Sequence, residues 1–522
     1  MKLVISNDKS KIILKESSHE EFHQLKLHLI RLVENHHFKK RKKMGLWDGN
    51  IDHFHKGIIR FGLWKEIYSC CKEHGYKFDV DKSQFPFDLD ITPEQVDVFI
   101  DEFYKDYRVT PNENNPDGIF IPYEHQREAI YKLLKFKQGL IEVATAGGKS
   151  LIFGTFLFYV LKYINPNAKT LLIVPRSSLV TQFYDDLIDY NEGYNQEQKE
   201  PFDLRIEELF SDKPRKVRDG VIPNVYIGTY QSLVNYPPEF FKQFNIVVTD
   251  EAHSAKAKSL DTILSQTFTY ATYRFGLSGT FPKDSSAEYL TIQSLMGPKL
   301  MTVKAKELME KGLITPVKIN AIILNYDELD FAERVHSIKK NGGGQKAHLL
   351  EKEYAQKSLR RKIFFRKLID KFKDNSMILF HNVEYGTELF EYLRDNIIDK
   401  HFYYIDGSTP KVKREKIKKL MEITDSKPKI LIASFGTFST GINIKAIMNV
   451  VFADSFKSDQ IIRQSIGRGL RLHAEKTKLI VFDIVDRFHT KYKNILYNHY
   501  ISRRDNIYKK QEFPVTEIKI KI

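Results

Sequence analysis

Three separated stretches of the chain carry residue types able to handle a nucleoside triphosphate. In EVATAGGKSLIF, residues 142–153, an apolar strand GLIEV runs into a loop ending Gly-Lys-Ser where a helical pattern opens. A loop of that kind cradles phosphates with backbone N–H groups and the helix dipole. Ala144, Thr145, Ala146, Gly147 and Gly148 would form the cradle, Lys149 would reach the β- and γ-phosphates, and Ser150 would hold Mg2+. Val143 stands where the common pattern has its leading glycine, so the strand–loop–helix setting carries the assignment. The second stretch is DEAH, Asp250 to His253, at the end of the apolar run NIVVT. Two adjacent carboxylates at the end of a buried strand are costly without a cation. With Mg2+ and ATP present, Asp250 would bind the metal through water and Glu251 would polarise the attacking water. A helix-start acidic pair is the ordinary alternative for Asp-Glu. The third stretch, QSIGRGLR, places Gln464, Arg468 and Arg471 on one helical face. Guanidinium groups facing a γ-phosphate act as arginine fingers; surface salt-bridging is the plainer alternative. Taken together, the three describe an ATP site shared by two domains.

The elements that must position these residues are legible as two series of apolar strands. GLIEVAT, KTLLIVP, NVYIGT, NIVVTDEAH and RFGLSGT form one, and SMILFHN, FYYIDG, KILIAS, NVVFAD and KLIVFDIVD the other. Near-continuous apolar strands separated by helical stretches imply parallel sheets covered on both faces, hence two tandem doubly wound α/β domains. Ahead of them, KLVIS and KIILK read as strands. EEFHQLKLHLIRLVENH puts Phe22, Leu25, Leu29 and Leu32 at helical spacing, so a small α+β domain precedes the pair. The expected divisions are an N-terminal domain over 1–85, a proline-rich linker over 86–117, lobes over 118–300 and 301–485, and a basic extension over 486–522. KKNGGGQKAH, residues 339–348, reads as a flexible surface loop.

Composition narrows the class. The chain has 522 residues, 42% hydrophobic and 13% aromatic, enough for large cores and against general disorder. Its formal charge of +15 and pI near 9.2 favour a polyanionic partner, nucleic acid before a membrane surface. The only cysteines, Cys70 and Cys71, are adjacent, which excludes a disulfide framework and a CxxC metal site. No apolar run approaches ~18 residues and no signal-peptide core opens the chain, so a soluble protein of a reducing, intracellular compartment is expected. No acidic pair followed by lysine marks a nuclease.

The ordered set of motifs resembles that of the superfamily-two helicases over about residues 118–485. Gln126, in YEHQREAI, matches a glutamine that such proteins use near the adenine. ATAGGKS matches motif I, IVPRSSLVTQF motif Ia and GTYQSL motif Ib; DEAH matches motif II and LSGT motif III; ILFHNVEYG, ASFGTFSTGINIK and QSIGRGLR match motifs IV, V and VI. The resemblance implies two RecA-like lobes and ATP and Mg2+ as cofactors. It further implies Gly441 at the nucleotide, coupling through His253, Ser278 and Thr280, and nucleic-acid contacts from Arg176, Thr229, Gln231 and Thr440.

HHFKKRKKMGLWDGN, with Lys39, Lys40, Arg41, Lys42, Lys43 and Trp47, and then IRFGLWKEI, resembles the DNA-binding domain ahead of the motor in UvsW-type phage helicases. That resemblance implies phosphate contacts by the basic run and a substrate of branched DNA: forks, Holliday junctions, D-loops or R-loops, with RNA present in the hybrids. It also implies the cytoplasm of an infected bacterium. A solvated charged face is the competing reading of the run, as an RNA helicase or a binder with an inactive ATPase is of the whole. Trp47 is open between base stacking and packing, Trp64 suits a core position, and His36, His37, His53 and His55 read as surface histidines.

Overall fold

The computed structural model describes residues 1–33, 44–45, 48–81, 85, 90–109, 117–194, 202–210, 220–253, 257–267, 270–423, 427–439, 444, 446–455, 462, 465–466 and 476–522. Two compact units divide it, residues 1–144 and 148–303 in one and 145–147 and 304–522 in the other. The fold is two tandem RecA-like parallel-sheet lobes preceded by a small α+β N-terminal domain.

In the N-terminal domain β1 (Lys2–Ile5) and β2 (Lys11–Glu16) pair antiparallel, and Asp8 closes their turn by accepting from the backbone and hydroxyl of Ser10. A short second pair is made by β3 (Ile30–Leu32) and β4 (Asn50–Asp52). The four-stranded sheet is completed by β5 (Ile58–Arg60) and β6 (Asp79–Val80), in the order β5-β2-β1-β6. Helix His19–Leu29 starts at a Ser18/Glu21 capping box and buries Leu25 and Leu29. The helical spacing expected to reach Leu32 stops at Leu29. Ile30 is already extended, and Leu32 lies on a strand, largely exposed.

This domain sits against helix Ala287–Met296 of the first lobe. Gly62 lies so close that a Cβ there would fall 2.3 Å from the Gln293 carbonyl oxygen, and Leu290 joins the domain's own apolar core. Gln293 donates to Glu66 at 2.9 Å, Arg60 pairs with Asp261 at 2.5 Å, and His53 meets Thr291 Oγ1 at 3.3 Å. His53 is therefore half-buried in this joint, whereas the sequence suggested a surface position. His55 is exposed, and His36 and His37 lie outside the described residues. Trp64 packs edge-on to Phe85 at the rim of the domain's core.

The first lobe's strands are β7 (Gln138–Val143), β8 (Thr170–Val174), β9 (Ile206–Leu209), β10 (Val225–Thr229), β11 (Ile246–Asp250), β12 (Tyr273–Ser278) and β13 (Lys299–Val303). They form one parallel sheet ordered β13-β7-β12-β11-β8-β10-β9. Burial along β8, β10, β11 and β12 is continuous, as a sheet covered on both faces requires. Residue 301, taken as the start of the second lobe, falls inside the edge strand β13. The segment taken as a linker contains helix Pro93–Tyr104, whose Phe99 and Phe103 pack on Tyr159 and Phe158 of this lobe.

The second lobe repeats the plan with β14 (Val317–Asn325), β15 (Ser376–Phe380), β16 (His401–Ile405), β17 (Lys429–Ser434), β18 (Asn449–Phe452), β19 (Leu479–Arg487) and β20 (Val515–Lys521). The order is β16-β17-β15-β18-β19-β14-β20, again parallel throughout. The tail after residue 485 is thus part of this lobe, since β20 runs beside β14 at the sheet's edge. KKNGGGQKAH is a tight connection between helices Leu329–Lys340 and Gly344–Lys357. Gly342 takes φ 84°, and Gly343 N–H donates back to Ile338 O at 2.9 Å, so the glycines close one helix and open the next.

Buried charge organises the lobe's interior. Arg361 Nε donates to Asp486 at 2.8 Å, and Arg503 holds Asp483 at 2.8 Å. Asp454, at the end of β18, accepts from His381 N–H and Gln356 and so fixes the loop after β15.

Candidate nucleotide and nucleic-acid sites

The carboxyl ends of β7, β11 and β12 lie side by side, because β12 separates β7 from β11 in register. That is where ligands of open parallel sheets bind. From these ends come the Gly-Lys-Ser loop, the Asp-Glu pair and Ser278.

The loop is built by backbone as much as by side chain. Ala144 N–H donates to Val303 O on the edge strand, and Ala146 and Gly148 both take left-handed φ, 70° and 85°. Left-handed residues in such a loop turn N–H groups to one side, the concave arrangement that accepts anions. Helix Lys149–Tyr159 follows, so its N-terminus faces the same place. Gly148 also admits Gln126, since a Cβ there would fall 2.2 Å from the Gln126 amide nitrogen. Gln126 is buried, and its Oε1 accepts from Tyr123 N–H at 2.8 Å, which fixes the amide against the loop.

Lys149 Nζ lies 3.4 Å from Glu251 Oε1. Burial works against the ammonium's charge, but the Glu251 and Asp250 carboxylates outweigh it and hold the lysine above its ordinary pKa. Glu251 is likewise opposed by burial, yet Lys149 and His253 keep it below the usual carboxylate range. Asp250 goes the other way: burial first and the Glu251 charge second push its carboxyl up. Asp250 Oδ1 is buried with no hydrogen-bond partner among the described residues. A buried carboxylate oxygen of that kind is chemically suited to a divalent cation. Glu251 itself takes φ 48°, a left-handed conformation that costs a non-glycine residue roughly 1–3 kcal/mol and that collects at functional sites.

Ser278, at the end of β12, receives His253 Nδ1 at 2.6 Å and donates to Thr280 O at 2.6 Å. Its single proton goes to the carbonyl, so the imidazole N–H donates to the hydroxyl. Thr280 N–H also donates to Ser278 Oγ at 3.1 Å, and Glu251 Oε2 is 3.4 Å from His253 Nδ1. Glu251 and His253 of DEAH are therefore joined to Ser278 and Thr280 of LSGT in one polar unit. Ser150 Oγ lies 3.3 Å from Tyr190 Oη. No spacing pattern singles out that tyrosine, 40 residues downstream.

On the same edge, Arg176 follows β8 and Thr229 ends the adjacent β10. Gln231 Nε2 donates to Pro175 O at 3.3 Å, tying the two loops together, while buried Thr229 caps the next turn through Ser232 N–H. Lys39, Lys40, Arg41, Lys42, Lys43, Trp47, Thr440, Gly441, Gln464, Arg468 and Arg471 lie outside the described residues.

Comparison with known proteins agrees with this architecture. Residues 119–283 match the family model "Type III restriction enzyme, res subunit", and residues 360–473 match "Helicase conserved C-terminal domain". The ATP-dependent DNA helicase uvsW of Enterobacteria phage T4 is 29% identical over 486 residues, covering 91% of this chain and 88% of that protein. The crystal structure of T4 UvsW aligns over 100% of this chain and 99% of its own at 25% identity, with a TM-score of 0.48. A DNA-bound ATP-dependent Type ISP restriction-modification enzyme, LlaBIII, is similar in fold over 76% of this chain and 31% of its own, at 13% identity and a TM-score of 0.55.

Proposed function

Because the chain is a superfamily-two helicase, an ATPase of the kind that acts on nucleic acid, we propose that its substrate is branched DNA. It unwinds, rewinds or branch-migrates forks, Holliday junctions, D-loops and R-loops in recombination, repair and replication restart. The observation that carries this reading is the reach of the likeness to the phage DNA helicase. Its 486 aligned residues exceed the whole stretch from 119 to 473, so it takes in sequence flanking the motor. The chain's +15 charge supports a polyanionic partner. The host cytoplasm is the setting such a phage protein would have.

In this reading Lys149 binds the β- and γ-phosphates against the loop from Ala144 to Gly148, and Gln126 lies near the adenine. Ser150 and Asp250 hold Mg2+, which would neutralise charge on the transferring phosphoryl group. Glu251 polarises and orients the attacking water, accepting its hydrogen bond as a carboxylate that the contact with Lys149 keeps ionised. Gln464, Arg468 and Arg471 stabilise the transition state, with Gly441 at the nucleotide. The His253–Ser278–Thr280 unit relays the state of the γ-phosphate to the backbone after β12. Arg176, Thr229, Gln231 and Thr440 meet the tracked strand, and the Lys39–Lys43 run with Trp47 meets the duplex arms.

The test is the steady-state ATPase rate over single-stranded, duplex, forked and four-way DNA, with RNA beside them. Greatest stimulation by forked and four-way DNA supports the reading. Greatest stimulation by RNA makes the chain an RNA helicase, and the absence of any turnover makes it a binder.

A further inference from the structure

Tyr190 belongs to helix Ser177–Tyr194, which packs along the helix that the phosphate loop opens. Its phenol oxygen is 3.3 Å from Ser150 Oγ. The ring is held in place independently of that contact. Gly154, one turn along the loop's helix, leaves the space the ring uses, and a Cβ there would fall 3.0 Å from Tyr190 Cδ2. On its other side Tyr107 meets the ring edge-on at 6.2 Å, and Tyr107 is fixed in turn by donating its phenol proton to Asp189.

We propose that Tyr190 is a positioning residue for Ser150: it accepts the serine's hydroxyl proton and so leaves the oxygen lone pairs free for the magnesium ion that accompanies ATP. The proposal rests on the reading of Ser150 as a metal ligand. A hydroxyl has one proton and two lone pairs. A serine that coordinates a cation needs an acceptor for its proton elsewhere, and groups that supply such acceptors commonly tune metal affinity about tenfold or more. Among the described residues, the phenol oxygen at 3.3 Å is an acceptor in reach. The glycine at 154 leaves the ring its room there, since a side chain at that point would crowd the ring, its Cβ 3.0 Å from Tyr190 Cδ2.

The experiment is binding of methylanthraniloyl-ATP, read by fluorescence while MgCl2 is titrated, together with the Mg2+ dependence of turnover. Tyr190→Phe keeps the ring and removes only the oxygen. It should raise the Mg2+ concentration for half-maximal nucleotide binding by about fivefold, the equivalent of one hydrogen bond of about 1 kcal/mol. The saturated rate should change less than that. Gly154→Ala, a change that favours the helix, should shift the same midpoint in the same direction by displacing the ring. In a Ser150→Ala background, Tyr190→Phe should add nothing. An unchanged midpoint in Tyr190→Phe, or an undiminished effect in the Ser150→Ala background, overturns the role of Tyr190. If Ser150→Ala itself leaves the Mg2+ midpoint unmoved, the metal-ligand reading of Ser150 fails, and the proposal fails with it.

Discussion

At the scale of single residues, Lys149 and the two carboxylates beside it form the most tightly coupled charges of the candidate site. Lys149 is the cation that keeps Glu251 ionised in a buried place, and in the proposed function it also binds the phosphates. Lys149→Ala should therefore cut ATP hydrolysis by about a hundredfold or more, as loss of a buried donor to developing charge does. DNA binding, measured by fluorescence anisotropy, should stay within about twofold if the lysine serves the nucleotide as proposed; full ATPase in the variant would place the nucleotide elsewhere. Much of this site was legible before any fold was known. Gly-Lys-Ser and Asp-Glu each follow an apolar strand, and strand ends of a parallel sheet converge by geometry. The Tyr190–Ser150 contact was not legible, since it depends on how two helices meet. Nor was the burial of Gln126 against Gly148, which only the family resemblance had placed near the nucleotide.

At the scale of elements, two joints make claims that can be measured. In the second lobe, Asp486 on β19 accepts from Arg361 and from the Tyr326 hydroxyl, with both charged side chains 2% exposed. Asp486→Asn leaves a buried guanidinium without its counter-charge, and breaking such a pair costs about 3–5 kcal/mol. Urea unfolding followed at this lobe should show a loss of that size, and a loss under about 1 kcal/mol would mean the arginine relaxes to another partner. Between the N-terminal domain and the first lobe, burial and the Arg60 charge push the His53 imidazole down to about 4. A folded-state pKa depressed below the unfolded value of about 6.5 gives stability that is present above 6.5 and lost as pH falls toward 4. Wild-type protein should lose on the order of 1 kcal/mol more than His53→Gln between pH 7.5 and 5.5 by thermal melting; parallel pH profiles would remove His53 from the joint. The elements the sequence missed have physical reasons too. The tail VTEIKIKI alternates apolar and charged residues, a strand signal hidden by its net positive charge, and Ile520 and Ile522 of that alternation pack on the lobe's core. The glycine run at 342–344 reads as slack chain, yet it serves as the stop of one helix and the start of another.

At the scale of the whole molecule, a net charge of +15 favours a polyanionic partner, and the basic run from Lys39 to Lys43 is its densest part. Each phosphate contact releases counterion, so log affinity falls with log salt by roughly 0.9 per contact. Replacing Lys39, Lys40 and Lys42 with Ala should weaken DNA binding and flatten that slope by about two to three. The loss should be larger on forked and four-way DNA than on single strands, and ATPase at saturating DNA should survive. An unchanged slope would return the run to a solvated face. Equal losses on every DNA shape would keep the contact and deny it a part in choosing branched substrates.

In the proposed function, ATP hydrolysis at the Lys149 site drives the remodelling of branched DNA. The most direct measurement follows labelled forks and mobile four-way junctions on native gels with wild-type protein and Lys149→Ala, each with and without ATP. Wild-type protein should convert them to unwound or branch-migrated products only when ATP is present, and the variant should convert none although it still shifts the DNA. Junctions that remain intact under wild-type protein while it hydrolyses ATP on them would contradict the proposed function.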